Sequence, residues 1–253
     1  MRLPGKVLAD IAGRPMLWHV ANRVGRAKLL DEVIVATSDN ALDDSIAALC
    51  EQEGVPCFRG SENDVLDRYY LAAMWIHADT IVRITADCPL IDPGVLNKVV
   101  AVYLDSGCDY ASNTIDRTYP DGLDTEIFSF EALEKAWREA RLMSEREHVT
   151  PYIWKNPKLF RLRQVTQETD LSGLRWTVDE PEDLEFLRKI YEYLYQPGQV
   201  FLMEDIVKLL ERHPELLEIN RAFETNEGYL RSLQEDHVVR SPGDMNQGEG
   251  SDD

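Results

Sequence analysis

Thr80-Ile81-Val82-Arg83-Ile84-Thr85-Ala86-Asp87-Cys88-Pro89-Leu90-Ile91-Asp92-Pro93 decides the fold class. Thr80, Ile81, Val82 and Ile84 read as a short buried strand, and Pro93 opens a helix with Asp92 as its natural cap. Asp87 therefore stands where the carboxyl end of a strand gives way to a loop. In an open α/β sheet, ligands bind there. A single strand-end Asp often does no more than cap a turn. A second one occurs far downstream in Trp176-Thr177-Val178-Asp179-Glu180-Pro181-Glu182-Asp183-Leu184. Two such carboxylates converging on one cleft are able to hold Mg²⁺ against a nucleoside triphosphate.

Outward from this stretch, strands and helices alternate. Helical patterns cover 15–26, 43–53, 64–77, 93–106, 131–141, 181–195 and 203–212. Strand patterns cover 32–37, 54–59, 80–85, 109–113, 123–130, 160–165 and 174–178. The near-continuous apolar run Glu32-Val33-Ile34-Val35-Ala36-Thr37 suits a strand buried on both faces. This rhythm predicts an α/β fold with a doubly wound, mostly parallel, Rossmann-like sheet. One domain is expected over 1–236, with an irregular insert at 113–154 and C-terminal helices at 197–236. The chain opens on Arg2-Leu3-Pro4-Gly5-Lys6, a basic Gly-containing turn without the strand that ordinarily feeds one, so the first strand is expected to be missing.

Composition narrows the function classes. The 253 residues carry a formal charge of −19, with 46 acids against 27 Lys and Arg, which disfavours a nucleic-acid partner. A small phosphorylated substrate is compatible, because a few local cations and one metal ion neutralise it. No apolar run is long enough to span a membrane and no secretory leader is recognisable, so a cytoplasmic protein is expected. Cys50, Cys57, Cys88 and Cys108 lack metal-binding spacing and read as reduced thiols. From Gln234 to Asp253 there are six acids and one Arg among Gly, Pro, Ser and Asn, which predicts a disordered acidic tail, placed at 237–253.

Several segments taken together resemble a known family. They are Arg2-Leu3-Pro4-Gly5-Lys6-Val7-Leu8, Gly13-Arg14-Pro15-Met16-Leu17, Phe58-Arg59-Gly60-Ser61 and Asp64-Val65-Leu66-Asp67-Arg68-Tyr69-Tyr70. Gly122-Leu123-Asp124-Thr125-Glu126, Arg146-Glu147-His148-Val149-Thr150-Pro151-Tyr152 and Asn226-Glu227-Gly228-Tyr229-Leu230-Arg231 join the two Asp-containing stretches. The chain resembles the spore coat polysaccharide biosynthesis protein F family, itself similar to the acylneuraminate and Kdo cytidylyltransferases. The likeness runs from about Arg2 to Asp236. It implies a Mg²⁺-dependent nucleotidyltransferase in which CTP and a nonulosonic or Kdo-type sugar acid give a CMP-sugar and pyrophosphate for a surface polysaccharide. It further implies Arg2 and Lys6 in the triphosphate loop, Asp87 and Asp179 on the metal, and Asp67 and Arg68 framing the cytidine. Asp124, Glu126, Arg146 and His148 fall in the half that would face the sugar, and a homodimer is the common assembly. Ala86 departs from the Gly usual in relatives.

Local readings stand beside these. Arg2 and Lys6 also read as solvated terminal cations, Asp179 as a helix cap, Asp67 with Arg68 as a surface ion pair, and His148 as a structural histidine. Glu180 and Asp183 read as a capping box and Asp92 as an N-cap, all outside the site. A nucleotidyltransferase using another nucleoside triphosphate or another acceptor, or a catalytically silent nucleotide-binding protein, is the competing functional reading.

Overall fold

The computed structural model describes residues 3, 5–223 and 227–239. Its elements follow the expected alternation, with several of them shorter. A two-residue hairpin, β1 (Asp10–Ile11) and β2 (Arg14–Pro15), leads into α1 (Met16–Val24). Then come β3 (Val35–Ser38), α2 (Asp44–Glu53), β4 (Cys57–Gly60), α3 (Val65–Trp75), β5 (Thr80–Arg83), α4 (Pro93–Ser106) and β6 (Tyr110–Ser112). The second half holds β7 (Glu126–Ser129), α5 (Phe130–Glu139), α6 (Met143–His148), α7 (Pro151–Trp154), β8 (Leu162–Gln164), α8 (Pro181–Leu194), α9 (Met203–Arg212) and α10 (Glu227–Gln234). Among the described residues no helix is long and apolar enough to cross a membrane.

The pairing is mixed. β3 and β4 form a parallel ladder, while a separate four-stranded sheet runs in the order β5-β7-β6-β8. β6 and β8 are parallel, and β7 lies antiparallel between β5 and β6. The α/β class and the parallel β3–β4 and β6–β8 pairs agree with the sequence reading; the antiparallel β7 gives the sheet its mixed character. Residues 174–178, expected as a strand, make only an isolated bridge between Arg175 and Asp121. Their backbone groups instead bond across to two loops. Trp176 N donates to Asp121 O, and Val178 N donates to Asp87 O.

Alternation along the strands sorts the core. Tyr110 and Phe128 point to one face of the sheet and pack with α3, α5 and α7 through Leu66, Leu133, Ala136 and Ile153. Ala111 and Ile127 point to the other and pack with α1 and α4 through Val20, Val24, Leu96 and Val99. A further cluster around Trp176, Val178, Phe186, Ile190 and Ile206 fastens α8 and α9 beneath the loops that follow the strands, and Leu3 and Val7 pack against it.

Local chemistry sets the element ends. Asp92 caps α4 through Gly94 N and Val95 N, as its place before Pro93 indicates, and its second oxygen accepts from Met203 N at the start of α9. Asp64 caps α3 by accepting from Asp67 N. The C-terminal segment departs from the expected disorder. Val238 pairs with Leu142, Met143 N donates to His237 O, and Val239 N donates to Arg141 O. Asp236 accepts from both the amide and the hydroxyl of Ser144. Residues 236–239 thus reach Arg141, Leu142, Met143 and Ser144, at and just before the start of α6, with groups that a polar segment supplies as well as an apolar one. The rest of the expected tail lies outside the described residues.

Two outcomes follow from this packing. Gly122 has φ +106°, and a Cβ there would lie 2.6 Å from the Trp176 carbonyl carbon. Gly122→Ala should therefore destabilise by roughly 2 kcal/mol or more in denaturant melts, by forcing the 120–124 and 174–177 segments apart. A chain ending at Gln234 should melt about 4–8 °C below one ending at Val239, reflecting lost bonds to α6 worth roughly 2 kcal/mol together.

Candidate active site

Lys6 is brought to the centre by a turn that only a permissive residue makes easily. Gly5 has φ +67°, a left-handed conformation, and the chain then tightens into a 3₁₀ turn over Lys6–Leu8. Leu3 N donates to Asp179 O, which ties this segment to the loop before α8. The Lys6 ammonium then donates to Asp87 Oδ2 at 2.8 Å, to Asp179 Oδ1 at 2.8 Å and to Val178 O at 2.6 Å. Two parts of the chain, 81 and 172 residues from Lys6 in sequence, meet at its ammonium nitrogen. The Lys6 side chain is 15% exposed and the two carboxylates about a quarter.

Electrostatics accompanies the geometry. Burial lowers the affinity of Lys6 for its proton, but the Asp87 and Asp179 carboxylates outweigh it and hold its pKa above the ordinary value. Burial likewise pushes Asp87 up, and the neighbouring ammonium overcomes this to leave it below the usual carboxylate range. Lys6 and Asp87 thus hold their charges at neutral pH.

Asp179 is oriented from behind. Its other oxygen meets Arg175 Nη2 at 3.2 Å, and Arg175 also makes two bonds of 2.9 Å to Asp183. Asp183 is fully enclosed and accepts from the Asp179 and Glu180 amides. Burial alone would raise the Asp183 pKa; the Arg175 guanidinium and the two amides keep it low. Asp183 thus does what its capping position suggests and, through Arg175, also steadies Asp179. Nothing in the sequence around Arg175 marks it for that work, since its partners become neighbours only when residues 174–179 turn into α8.

The remaining expected residues separate into two surroundings. Glu126 is buried where β7 faces β5, paired with Arg83 and accepting from Tyr110 and Thr150 hydroxyls. The direct register Arg83↔Glu126 makes that pair. The Tyr69 hydroxyl lies in the field of Arg83, Arg68 and Glu126, its pKa raised by burial despite the two guanidinium groups. Arg68 Nη1 donates to Ser61 O at 2.7 Å, so Arg68 is fastened to backbone and is not an ion-pair partner of Asp67. Arg68 Nε and Arg83 Nε are buried with no hydrogen-bond partner among the described residues. Asp124 is held by a two-pronged bond from Arg117, both contacts at 2.7 Å, and it acts with Asp121 and Asp87 on the field at Cys88. Arg83 and Arg117 went unread in the sequence because a lone Arg has no spacing signature.

The other three are committed elsewhere. Arg146 is enclosed and spends its guanidinium on Asp64 and the Trp137 carbonyl, locking the α3 cap, so it does not face an open site. Asp67 accepts from the Trp137 indole at 2.8 Å. His148 lies at the contact of α6 with α10, against Ser232 and the edge of Tyr229. Arg2 lies outside the described residues. Among those described, no group of three or more His, Cys, Asp or Glu side chains is placed to hold a metal. Asp87 and Asp179 supply two carboxylates and the Val178 carbonyl a third oxygen, and a cation already sits on all three.

Comparison with known proteins gives the family. A cytidylyltransferase family model matches residues 1–223. The spore coat polysaccharide biosynthesis protein SpsF of Bacillus subtilis is 32% identical over 221 residues, covering 85% of this chain and 90% of that protein. A 3-deoxy-manno-octulosonate cytidylyltransferase of Nitratidesulfovibrio vulgaris is 41% identical over 116 residues, or 44% of each chain. Among solved structures, a cytidylyltransferase from Leptospira borgpetersenii superposes with a TM-score of 0.82 at 34% identity, covering 86% of this chain and 91% of its own. With a family model that spans nearly all of the described chain and a structural match over most of it, this protein belongs to the cytidylyltransferase family.

Proposed function

We propose that the protein transfers the cytidylyl group of CTP to the anomeric hydroxyl of a sugar acid, releasing pyrophosphate, to activate that sugar for a surface polysaccharide. The observation that carries this reading is the meeting of Lys6, Asp87 and Asp179 at one point. A lysine and two loop carboxylates from distant parts of the chain make a site for a polyanion and its counterion. Family membership supports the nucleotide, and the names of the relatives support the acceptor class.

In this reaction the acceptor oxygen forms a bond to the α-phosphorus while the bond to the pyrophosphate oxygen breaks, and the hydroxyl proton is released. Charge builds on phosphate oxygens as this happens, so the residues contribute by positioning and by fixed charge. Asp87 and Asp179 fit a divalent cation, such as Mg²⁺, which when bound neutralises phosphate charge. Lys6 supplies a mobile cation for the same phosphates, together with Arg2 by the family pattern. Arg68 and Arg83 offer buried N–H donors beside Tyr69, suited to the base and ribose end of the nucleotide. Asp124, held by Arg117, offers a carboxylate acceptor to sugar hydroxyls, while Glu126, buried and engaged by Arg83, Tyr110 and Thr150, supports that side of the site from behind.

Thermal melting with each of the four nucleoside triphosphates and Mg²⁺ tests the nucleotide. CTP at about 100 times its dissociation constant should stabilise by about 2.7 kcal/mol, and the other three should not. A shift with a different triphosphate would replace the base assignment, and no shift with any would leave a protein that has kept the fold without the chemistry. Asp87→Asn should lower kcat/KM for pyrophosphate release about 10²-fold or more in a protein that still folds, with a melting temperature lowered only by the loss of the Lys6 ion pair. A loss confined to stability would return Asp87 to a structural role.

A further inference from the structure

We infer that Lys6 is the resident cation of the metal seat in the nucleotide-free protein, so that a divalent ion enters only as the ammonium leaves. This deepens the proposed function and rests on Asp87 and Asp179 being the carboxylates that hold the metal.

The geometry is that of a coordinated cation. An ammonium has three N–H donors, and here all three are used, on Asp87 Oδ2, Asp179 Oδ1 and Val178 O. Those oxygens come from three directions onto a nitrogen that is largely shielded from solvent. A divalent ion on the same two carboxylates would share their oxygens and repel the ammonium at short range. The two cations therefore exclude one another.

The protein alone offers an incoming metal little to favour the exchange. Two carboxylates and one carbonyl leave a hard divalent ion short of ligands, and such ions take phosphate oxygens in sites of this kind. The displaced ammonium also needs a new anionic partner. A nucleotide supplies both, with phosphate oxygens for the ion and phosphate charge for Lys6. The long flexible stem of lysine lets the charge move without moving the backbone. Loading of metal and nucleotide thus becomes one coupled event, and the bare protein stays metal-free at concentrations where the nucleotide complex is saturated. An ion pair that served only to fasten the N-terminal segment would predict no such exchange.

The test is direct binding of Mn²⁺ to the nucleotide-free full chain, followed by water-proton relaxation, in the parent and in Lys6→Met and Lys6→Gln. Removing the ammonium leaves the Asp87 carboxylate without its lysine and Asp179 with Arg175 still beside it. The variants should bind Mn²⁺ about tenfold or more tightly than the parent, since the ion no longer competes with charge-assisted bonds. Mn²⁺ should also raise the melting temperature of the variants more than that of the parent. Asp87→Asn placed in the Lys6→Met background should abolish the gain. Equal or weaker Mn²⁺ binding in both Lys6 variants overturns the inference, as does a gain that survives Asp87→Asn. The CTP-induced melting shift of the parent is read separately: its absence would strike the nucleotide assignment alone, and the Mn²⁺ comparison would still decide the seat.

Discussion

The structure depends on one constraint: a lysine ammonium and two Asp side chains must be close together and partly withdrawn from water at the same time. Each would be costly there alone. Burial by itself would lower the Lys6 pKa and raise that of Asp87, and the contact of Lys6 with its carboxylates is the main influence that reverses both shifts. The segments that carry them have therefore to be held in register. The amide of Val178 on the Asp87 carbonyl and the amide of Leu3 on the Asp179 carbonyl do this with backbone bonds. Gly122, lying against the Trp176 backbone, lets the 120–124 loop close the third side.

Around that centre the molecule spends its buried arginines on steadying carboxylates. Arg175 holds Asp183 and touches Asp179, Arg83 holds Glu126, and Arg117 grips Asp124. Arg146 holds Asp64 away from the site, where the task is to cap α3. A chain with 46 acids needs such pairing wherever acids are enclosed. The consequence is a site whose anionic groups are already matched by fixed cations, except at Lys6. Its long stem leaves its charge able to change partners, whereas Arg175 is fixed by two bonds to an enclosed carboxylate.

The C-terminal segment extends the same economy of backbone contacts. α10 and residues 236–239 close over α6, whose first amides would otherwise lack partners. His148 and Ser232 meet within that contact. Residues that resemblance places near a sugar are thus shared between the site half and its outer fastening. Arg146 and His148 belong to the fastening, Asp124 and Glu126 to the side nearer the central carboxylates.

The sequence by itself determined the alternation of elements, because apolar periodicity and capping are local. Pro93 after Asp92 placed α4 to the residue, and the strand before Asp87 followed from its β-branched run. It also marked Lys6, Asp87 and Asp179, through motifs whose residue types suit phosphate and cation. Tertiary structure alone decided the rest. That β7 runs antiparallel between β5 and β6, that 174–178 bonds to loops in place of a strand, and that residues 236–239 pair with α6 all depend on which distant backbone group is left unsatisfied. The duties of Arg83, Arg117, Arg146 and Arg175 were hidden for the same reason. A guanidinium carries no information about its partner until the chain has folded a carboxylate to within about 3 Å of it.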